Sequence, residues 1–152
     1  MPKIEISRQD LENLLGRKIK DDEMEELFLY CKAEFEGIEG DMIKLDVKDT
    51  NRPDLWGVEG IARELKGHLR IATGLPRYEI KKSDLVVKVD EKLKSIRPVI
   101  ACAIVKNVEL SDDIIKQIIQ LQEKIHITFG RRREFVAIGI SNYDLIEGNV
   151  YY

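Results

Sequence analysis

The spacing of apolar residues changes along the first 74 residues, and this change limits the fold more than any other feature. Apolar side chains recur every three or four positions in three segments, which is the period of an amphipathic α-helix. Between the second and third segments, from Ile43 to Val47, they recur at every second position, as in a half-buried strand. The helical sets are Leu11, Leu14 and Leu15; Met24, Leu27, Phe28 and Cys31; and Val58, Ile61, Ala62 and Leu65. Residues 1–74 are therefore predicted to form an N-terminal module of two helices, a hairpin and a third helix, in the α+β class.

Local signals indicate where these elements begin and end. Ser7 suits an N-cap position and Gly16 suits a helix stop. The two arms of the hairpin are predicted at residues 34–37 and 42–49, since the second arm carries the alternating pattern.

The third helix is preceded by a dense group of turn-forming residues. Proline belongs in a turn or at the first helical position, because it lacks an N–H group and has a fixed φ angle. An aspartate next to it favours the positive end of a helix. The group is Asn51, Arg52, Pro53 and Asp54. We interpret it as a structural helix start, with the helix beginning at about Asp54 and Arg52 held by neighbouring carboxylates or carbonyls.

A second region follows a boundary at residues 75–84, where glycine, proline and charged residues are mixed. Strands are predicted at residues 85–89, 98–108 and 135–140, the last two being apolar runs typical of strands buried on both faces. A long helix is predicted after Ser111, which suits an N-cap. The C-terminal region, residues 85–152, is thus expected to be the incomplete start of an α/β domain in a longer chain.

Composition excludes several kinds of function. The net charge is −3 and 35% of residues are charged, so no general basic field favours nucleic acid. No apolar run is long enough to span a membrane, and the charged N-terminus favours the cytoplasm. No phosphate-binding loop, hydrolase or metal motif is present, so no metal site is predicted. Cys31 and Cys102 are expected to be small buried residues.

Three adjacent arginines follow the long helix and form a candidate RNA contact. Arg131, Arg132 and Arg133, with Lys124 nearby, concentrate positive charge that can meet phosphates. The alternative is structural, because positive charge at a helix C-terminus also stabilises the helix dipole.

Ser141 and Asn142 come directly after the last predicted strand, where the binding sites of α/β proteins often lie. Serine and asparagine are equally common in turns, so a purely structural role is the alternative.

Three segments in order resemble one protein family. They read KIEISRQDLENLLGRKIKDDEMEELF, DTNRPDLWGVEGIAREL and ACAIVKNVELSDDIIKQIIQLQEKIHITFGRRREFVAIGI. All three resemble the N-terminal part of phenylalanyl-tRNA synthetase beta subunits of the archaeal and eukaryotic type, and the likeness spans nearly the whole chain.

The resemblance implies a winged-helix-like, DNA-binding-like module followed by the start of the tRNA-editing domain. In this family two alpha and two beta subunits join phenylalanine to its tRNA, using ATP and magnesium, and the alpha subunit carries that reaction. The editing domain releases tyrosine that has been joined wrongly. This fragment is expected to be inactive alone, to bind no cofactor, metal, DNA or membrane, and to have the alpha subunit and the phenylalanine tRNA as partners.

The resemblance departs from the archaeal type after VAIG. This chain reads ISNYDL where that type often shows an HDLD-like sequence. Ser141 and Asn142 instead resemble the TNY triplet of bacterial subunits, whose threonine and asparagine line the editing pocket, so they are the candidate pocket residues. The alternative function is a stand-alone adaptor that binds RNA or protein with the same modules.

Overall fold

The computed structural model describes residues 2–49 and 51–152, which contain helices and strands of the expected α+β class. The N-terminal module has a three-stranded antiparallel sheet in the order β1-β3-β2. The strands are β1 (Lys3–Ser7), β2 (Ala33–Glu39) and β3 (Met42–Val47). The helices of this module are α1 (Arg8–Leu15), α2 (Met24–Tyr30) and α3 (Val58–His68). The winged-helix-like arrangement and the domain bounds stay predictions.

The predicted capping signals act at both ends of α1. The hydroxyl of Ser7 accepts a hydrogen bond from the Asp10 N–H at 3.0 Å. Gly16 adopts a left-handed φ of 76°, and its N–H donates to the carbonyl of Glu12 at 2.8 Å. The helix therefore begins and ends where the sequence indicates.

The hydrophobic core belongs to the N-terminal module. The buried apolar side chains of the described residues run from Ile4 to Leu65, and the largest is Trp56. Cys31 is among them, as predicted, and burial raises the pKa of its thiol to about 12. Strand β1, which was not predicted, contributes Ile4 and Ile6 to this core.

The C-terminal region differs from its prediction. Residues 98–108 and 135–140 form no strands, and their apolar side chains are largely exposed: Val99 is 82% exposed and Phe135 is 59% exposed. A strand buried on both faces needs neighbouring strands that take its backbone hydrogen bonds, and no strand of the described residues pairs with either segment. Cys102 is exposed, so its predicted burial is wrong.

Two expected elements of this region are present. Strand β4 (Val87–Lys88) lies within the predicted strand and pairs in parallel with β5 (Val150–Tyr151). Helix α4 spans Asp112–Ile127, and the hydroxyl of Ser111 accepts a hydrogen bond from the Ile114 N–H at 3.3 Å. The long helix and its N-cap are thus confirmed.

Helix α4 joins the two parts of the chain. The side-chain amide of Gln120 donates to the Glu5 carbonyl at 2.9 Å and accepts from the Glu5 N–H at 2.8 Å. Leu121 and Ile125 pack against the core of the N-terminal module. The helix therefore lies along the outer edge of β1.

Candidate functional site

The turn before α3 is organised around Arg52. Its guanidinium donates to both carboxylate oxygens of Asp54, at 3.0 and 2.9 Å, and to Glu64 at 3.0 Å. The hydrogen bonds from Arg52 lower the pKa of Asp54, and the bonds to Asp54 and Glu64 raise the pKa of Arg52. These side chains are partly exposed, so each ion pair stabilises the fold only modestly.

Asp54 does not cap α3, which corrects the predicted helix start. Residues Pro53–Trp56 form a separate 3-10 turn, and α3 begins at Val58 with Gly57 as the N-cap residue. Asn51 is exposed in the preceding turn.

Gly60 and Trp56 fix this turn against the module. A Cβ atom on Gly60 would lie 1.6 Å from the Asp54 carbonyl oxygen, so only glycine allows the turn to pack this closely on α3. Trp56 is fully buried, and its indole N–H donates to the Asp49 carbonyl at 3.4 Å. Neither residue was singled out from the sequence, although both lie within the segment that carries the family resemblance.

An open groove of about 760 Å³ lies between α3 and residues 72–78. Arg63, Lys66, His68 and Tyr78 are among its lining residues. His68 stacks on Tyr30 with 4.5 Å between ring centroids and lies 3.5 Å from a Glu64 carboxylate oxygen. The groove is mixed in charge, since Glu59 and Glu64 also line it.

The basic turn, Arg131–Arg133, follows α4 in an unusual backbone conformation. The φ angles of its three residues are 44°, 58° and 69°, all in the left-handed region. Gly130 precedes it, and a Cβ atom there would lie 2.4 Å from the Val136 carbonyl oxygen. Non-glycine residues enter this region at a cost in free energy, so the surrounding contacts have to hold the turn.

The three arginines have different contacts. Arg133 pairs with Glu123, and the Arg131 guanidinium lies 4.7 Å from the centroid of the Phe135 ring. Arg132 is exposed, and within residues 2–49 and 51–152 it forms no ion pair. Lys124 is half-buried on α4, and its backbone carbonyl accepts hydrogen bonds from the N–H and hydroxyl of Thr128.

Ser141 and Asn142 are both exposed and lie just beyond the irregular segment 135–140. The side-chain oxygen of Asn142 accepts a hydrogen bond from the Asp144 N–H at 3.0 Å, capping the short turn Tyr143–Leu145. Lys106 lies over the Tyr143 ring, 5.1 Å from its centroid.

The turn before α3 and the basic turn meet through their neighbours. The Trp56 and Phe129 rings lie 5.8 Å apart between centroids, and a side chain at Gly57 would contact Leu121 at 3.6 Å. Two of the three segments that carry the family resemblance are thus packed together, although the contacting residues are far apart in sequence. Sequence reasoning gave no sign of this contact.

The part of the chain that the structure describes has neither a metal-binding cluster nor a helix that could span a membrane. No group of three or more histidine, cysteine, aspartate or glutamate side chains is arranged to hold a metal ion. None of its helices is both long and apolar enough to cross a membrane.

Similarity to known proteins extends over the whole chain. No family model matches the chain. The chain is 53% identical over its full length to the phenylalanine-tRNA ligase beta subunit of Thermococcus onnurineus and covers 27% of that protein. It is 38% identical over its full length to the corresponding subunit of Methanosphaera stadtmanae, again covering 27%. The chain belongs to the phenylalanine-tRNA ligase beta subunit family.

A solved structure shows which part of the beta subunit is concerned. An N-terminal fragment of the phenylalanyl-tRNA synthetase beta subunit from Pyrococcus horikoshii superposes with a TM-score of 0.93 at 53% identity. The match covers 99% of this chain and 45% of that fragment. The chain therefore corresponds to the N-terminal region of beta subunits and spans a little over a quarter of the length of its curated relatives.

Proposed function

We propose that the chain serves as the N-terminal region of a beta subunit in a working phenylalanine-tRNA ligase. The supporting observation is 53% identity across the entire chain to proteins of that name, together with the matching fold. Such a ligase joins phenylalanine to its tRNA in the cytoplasm, using ATP and magnesium. Its partners are the alpha subunit, in an assembly of two alpha and two beta subunits, and the phenylalanine tRNA.

The C-terminal region contributes to the release of wrongly joined tyrosine. Tyrosine differs from phenylalanine by one hydroxyl, and a hydrophobic pocket rejects an added hydroxyl only by about a hundredfold. A second site that recognises the hydroxyl removes the remaining errors. Ser141 and Asn142 are suited to this task because both are exposed and both can hydrogen-bond a hydroxyl or an aminoacyl ester.

The basic turn binds the tRNA backbone. Arg132 carries this contact, since its charge is exposed while Arg133 is paired with Glu123. Arg131 and Lys124 add positive charge to this part of the chain. Phosphate binding of this kind is electrostatic and weakens as salt rises.

Residues 1–152 alone carry neither reaction. The chain has no ATP-binding motif, and the exposed positions of Ser141 and Asn142 do not enclose a substrate. Binding of ATP and magnesium accordingly belongs to the other parts of the ligase.

The test compares the isolated chain with a complete ligase that contains it. The complete ligase should join phenylalanine to its tRNA and release tyrosine from mischarged tRNA, and the isolated chain should do neither. Failure of the complete ligase to join phenylalanine would contradict the proposed function. If the isolated chain released tyrosine, only the claim that this release requires the complete ligase would be contradicted.

A further inference from the structure

His126 is a buried titratable group that the proposed function does not use. It lies in the last turn of α4 and is 4% exposed. The backbone of Gly130 packs against it, since a Cβ atom there would come within 2.8 Å of the His126 carbonyl oxygen. A buried imidazole needs hydrogen-bond partners for its nitrogens.

Both ring nitrogens of His126 have partners. Nε2 lies 2.8 Å from the backbone nitrogen of Ile138, which donates its N–H to the ring. Nδ1 lies 3.3 Å from a Glu123 carboxylate oxygen. A neutral ring with its hydrogen on Nδ1 satisfies both contacts, because Nε2 then keeps the lone pair that accepts the Ile138 N–H.

The carbonyl of Ile138 is also bonded to α4. Gln122 lies one helical turn before His126 and donates from its side-chain nitrogen to the Ile138 carbonyl at 3.3 Å. Both backbone groups of Ile138 are therefore bonded to side chains of one helix. Residues 135–140 have no strand partner among the described residues, so these two bonds replace sheet pairing.

Protonation of His126 is incompatible with this arrangement. A charged ring carries a hydrogen on Nε2, which would face the hydrogen of the Ile138 N–H and leave it without an acceptor. The charged groups around the ring are Glu123 on α4 and Arg133, which pairs with Glu123. Arg97, from the segment after the Glu91–Ser95 turn, bonds to the Arg133 carbonyl. Glu123 faces Nδ1, so it cannot accept the added hydrogen on Nε2 at the opposite side of the ring.

We propose that neutral His126 is a positioning residue that fixes segment 135–140 on α4, and that its protonation releases the segment. Ser141 and Asn142 follow Ile138 by three and four residues, so the released segment also displaces them. This last consequence rests on the proposed function, whereas the bond between His126 and Ile138 does not.

Nuclear magnetic resonance of the ¹⁵N-labelled chain tests the bond directly. A coupling across the hydrogen bond should connect the Ile138 amide nitrogen to Nε2 of His126 at pH 7.5. The coupling should be absent wherever the His126 ring carries a hydrogen on both nitrogens, because Nε2 then has no lone pair to accept the Ile138 N–H. Absence of the coupling at pH 7.5, or its survival at pH 5 with His126 protonated, would overturn the proposal. His68 is the internal control, because its protonation should not affect Ile138.

Hydrogen exchange of substituted chains gives a second readout. In His126→Phe and in Gln122→Leu, the protection of the Ile138 amide should fall by roughly threefold to tenfold, the loss expected for one hydrogen bond. Gln122→Leu keeps the buried ring, so it remains informative if His126→Phe does not fold. Gln120→Leu is the matched control on the same helix: it should expose the Glu5 amide and leave Ile138 protected. The proposal would be overturned if Ile138 lost protection in Gln120→Leu but kept it in His126→Phe and Gln122→Leu.

The complete ligase separates this inference from the proposed function. With His126→Phe, tyrosine release should be slowed and should lose the fall in acid that protonation of His126 is expected to cause in the unsubstituted enzyme, while phenylalanine joining is unchanged. If Ser141→Ala and Asn142→Ala slow tyrosine release but His126→Phe does not, the positioning role is wrong. If none of the three substitutions slows tyrosine release, the assignment of Ser141 and Asn142 to editing is wrong. The coupling between His126 and Ile138 then still decides whether His126 fixes segment 135–140.

Discussion

At the scale of single residues, the turn before α3 depends on the absence of one side chain. Gly60 lies in the first turn of α3, directly beneath the carbonyl of Asp54. The carbonyl is backbone, so it cannot move aside without shifting the whole turn that positions Arg52 and Trp56. The segment NRPDLWGVEG is thus a packing unit that requires glycine at its last position.

This packing predicts opposite effects for two glycines of α3. Gly60→Ala should lower the free energy of unfolding by about 3 kcal/mol or more, as expected for overpacking against a fixed backbone. Gly67→Ala is the matched control, since a Cβ atom there meets nothing within 4 Å. It should raise stability by about 0.5 to 1 kcal/mol, because alanine is the better helix former. Urea unfolding measures both, and equal stability of the two variants would contradict the packing argument.

The hydrogen bonds of Glu12 predict how the stability of the N-terminal module changes in acid. Its buried carboxylate accepts hydrogen bonds from Lys18, at 2.7 Å, and from the Ile19 N–H, at 3.0 Å. These contacts, the Lys18 bond foremost, lower the pKa of Glu12 from 4.5 to about 2. Because the folded pKa is the lower one, the stabilisation is complete above pH 4.5 and is lost as the pH falls toward 2.

Glu12→Gln should therefore lower stability at pH 7 and flatten its pH dependence between pH 4.5 and 2, measured by urea unfolding at each pH. Glu25→Gln, at an exposed position of α2, should keep the unsubstituted pH profile. An unchanged acid slope in Glu12→Gln would show that other carboxylates cause the acid response.

At the scale of elements, α4 covers an edge that would otherwise be open. Strand β1 is an edge strand of the sheet, and an exposed edge invites association with other chains. The amide of Gln120 pairs with the N–H and carbonyl of Glu5 as a neighbouring peptide group would. Gln117 adds a hydrogen bond to Asp10 at 3.2 Å. One helix thus covers the β1 edge of the sheet and positions the basic turn that follows it.

The exposed charge of Arg132 predicts a difference between this arginine and an exposed arginine outside the basic turn. Arg132→Glu should weaken tRNA binding by the complete ligase and lower the slope of log affinity against log salt by about 1, as expected for one lost phosphate contact. Arg70→Glu is the matched control, since Arg70 is also exposed with a positive φ but lies after α3. Salt-dependent binding assays check both, and equal slopes in the two variants would leave the basic turn as a helix end only.

The sequence predicts elements well where a local signal defines both ends. Ser7, Gly16 and Ser111 act as the predicted caps, so α1 and α4 were found. The apolar runs at 98–108 and 135–140 were misjudged because a strand also requires a hydrogen-bonding neighbour, and composition does not show whether one is present. Strand β1 was missed although Ile4 and Ile6 alternate with charged residues, since a segment of 5 residues gives only a short alternating pattern.

At the scale of the whole molecule, stability and candidate function are concentrated in different parts of the chain. The buried apolar core lies in the N-terminal module, whereas Arg132, Ser141 and Asn142 lie in the exposed C-terminal region. The two parts are joined by α4 and by the contact between Trp56 and Phe129. The N-terminal module is thus a scaffold that holds α4 and the basic turn.

The candidate site was only partly accessible from sequence. Runs of charged residues and turn-forming residues are visible in the sequence, which therefore predicts the basic turn and the pair Ser141 and Asn142 as candidates. Their functional roles stay predictions. The hydrogen bond from the Ile138 N–H to His126 and the bond of Gln120 to Glu5 are tertiary contacts of single side chains. An isolated histidine or glutamine carries no spacing signal, which is why neither contact could be predicted.

The most direct test of the account measures the release of tyrosine from mischarged phenylalanine tRNA by the complete ligase, with and without Ser141→Ala and Asn142→Ala. Loss of one neutral hydrogen bond costs about 0.5 to 1.5 kcal/mol, so each variant should release tyrosine roughly twofold to tenfold more slowly. Phenylalanine joining should proceed at the unsubstituted rate in both variants. Unchanged tyrosine release in both, with normal joining, would contradict the claim that this N-terminal region contributes those residues to editing.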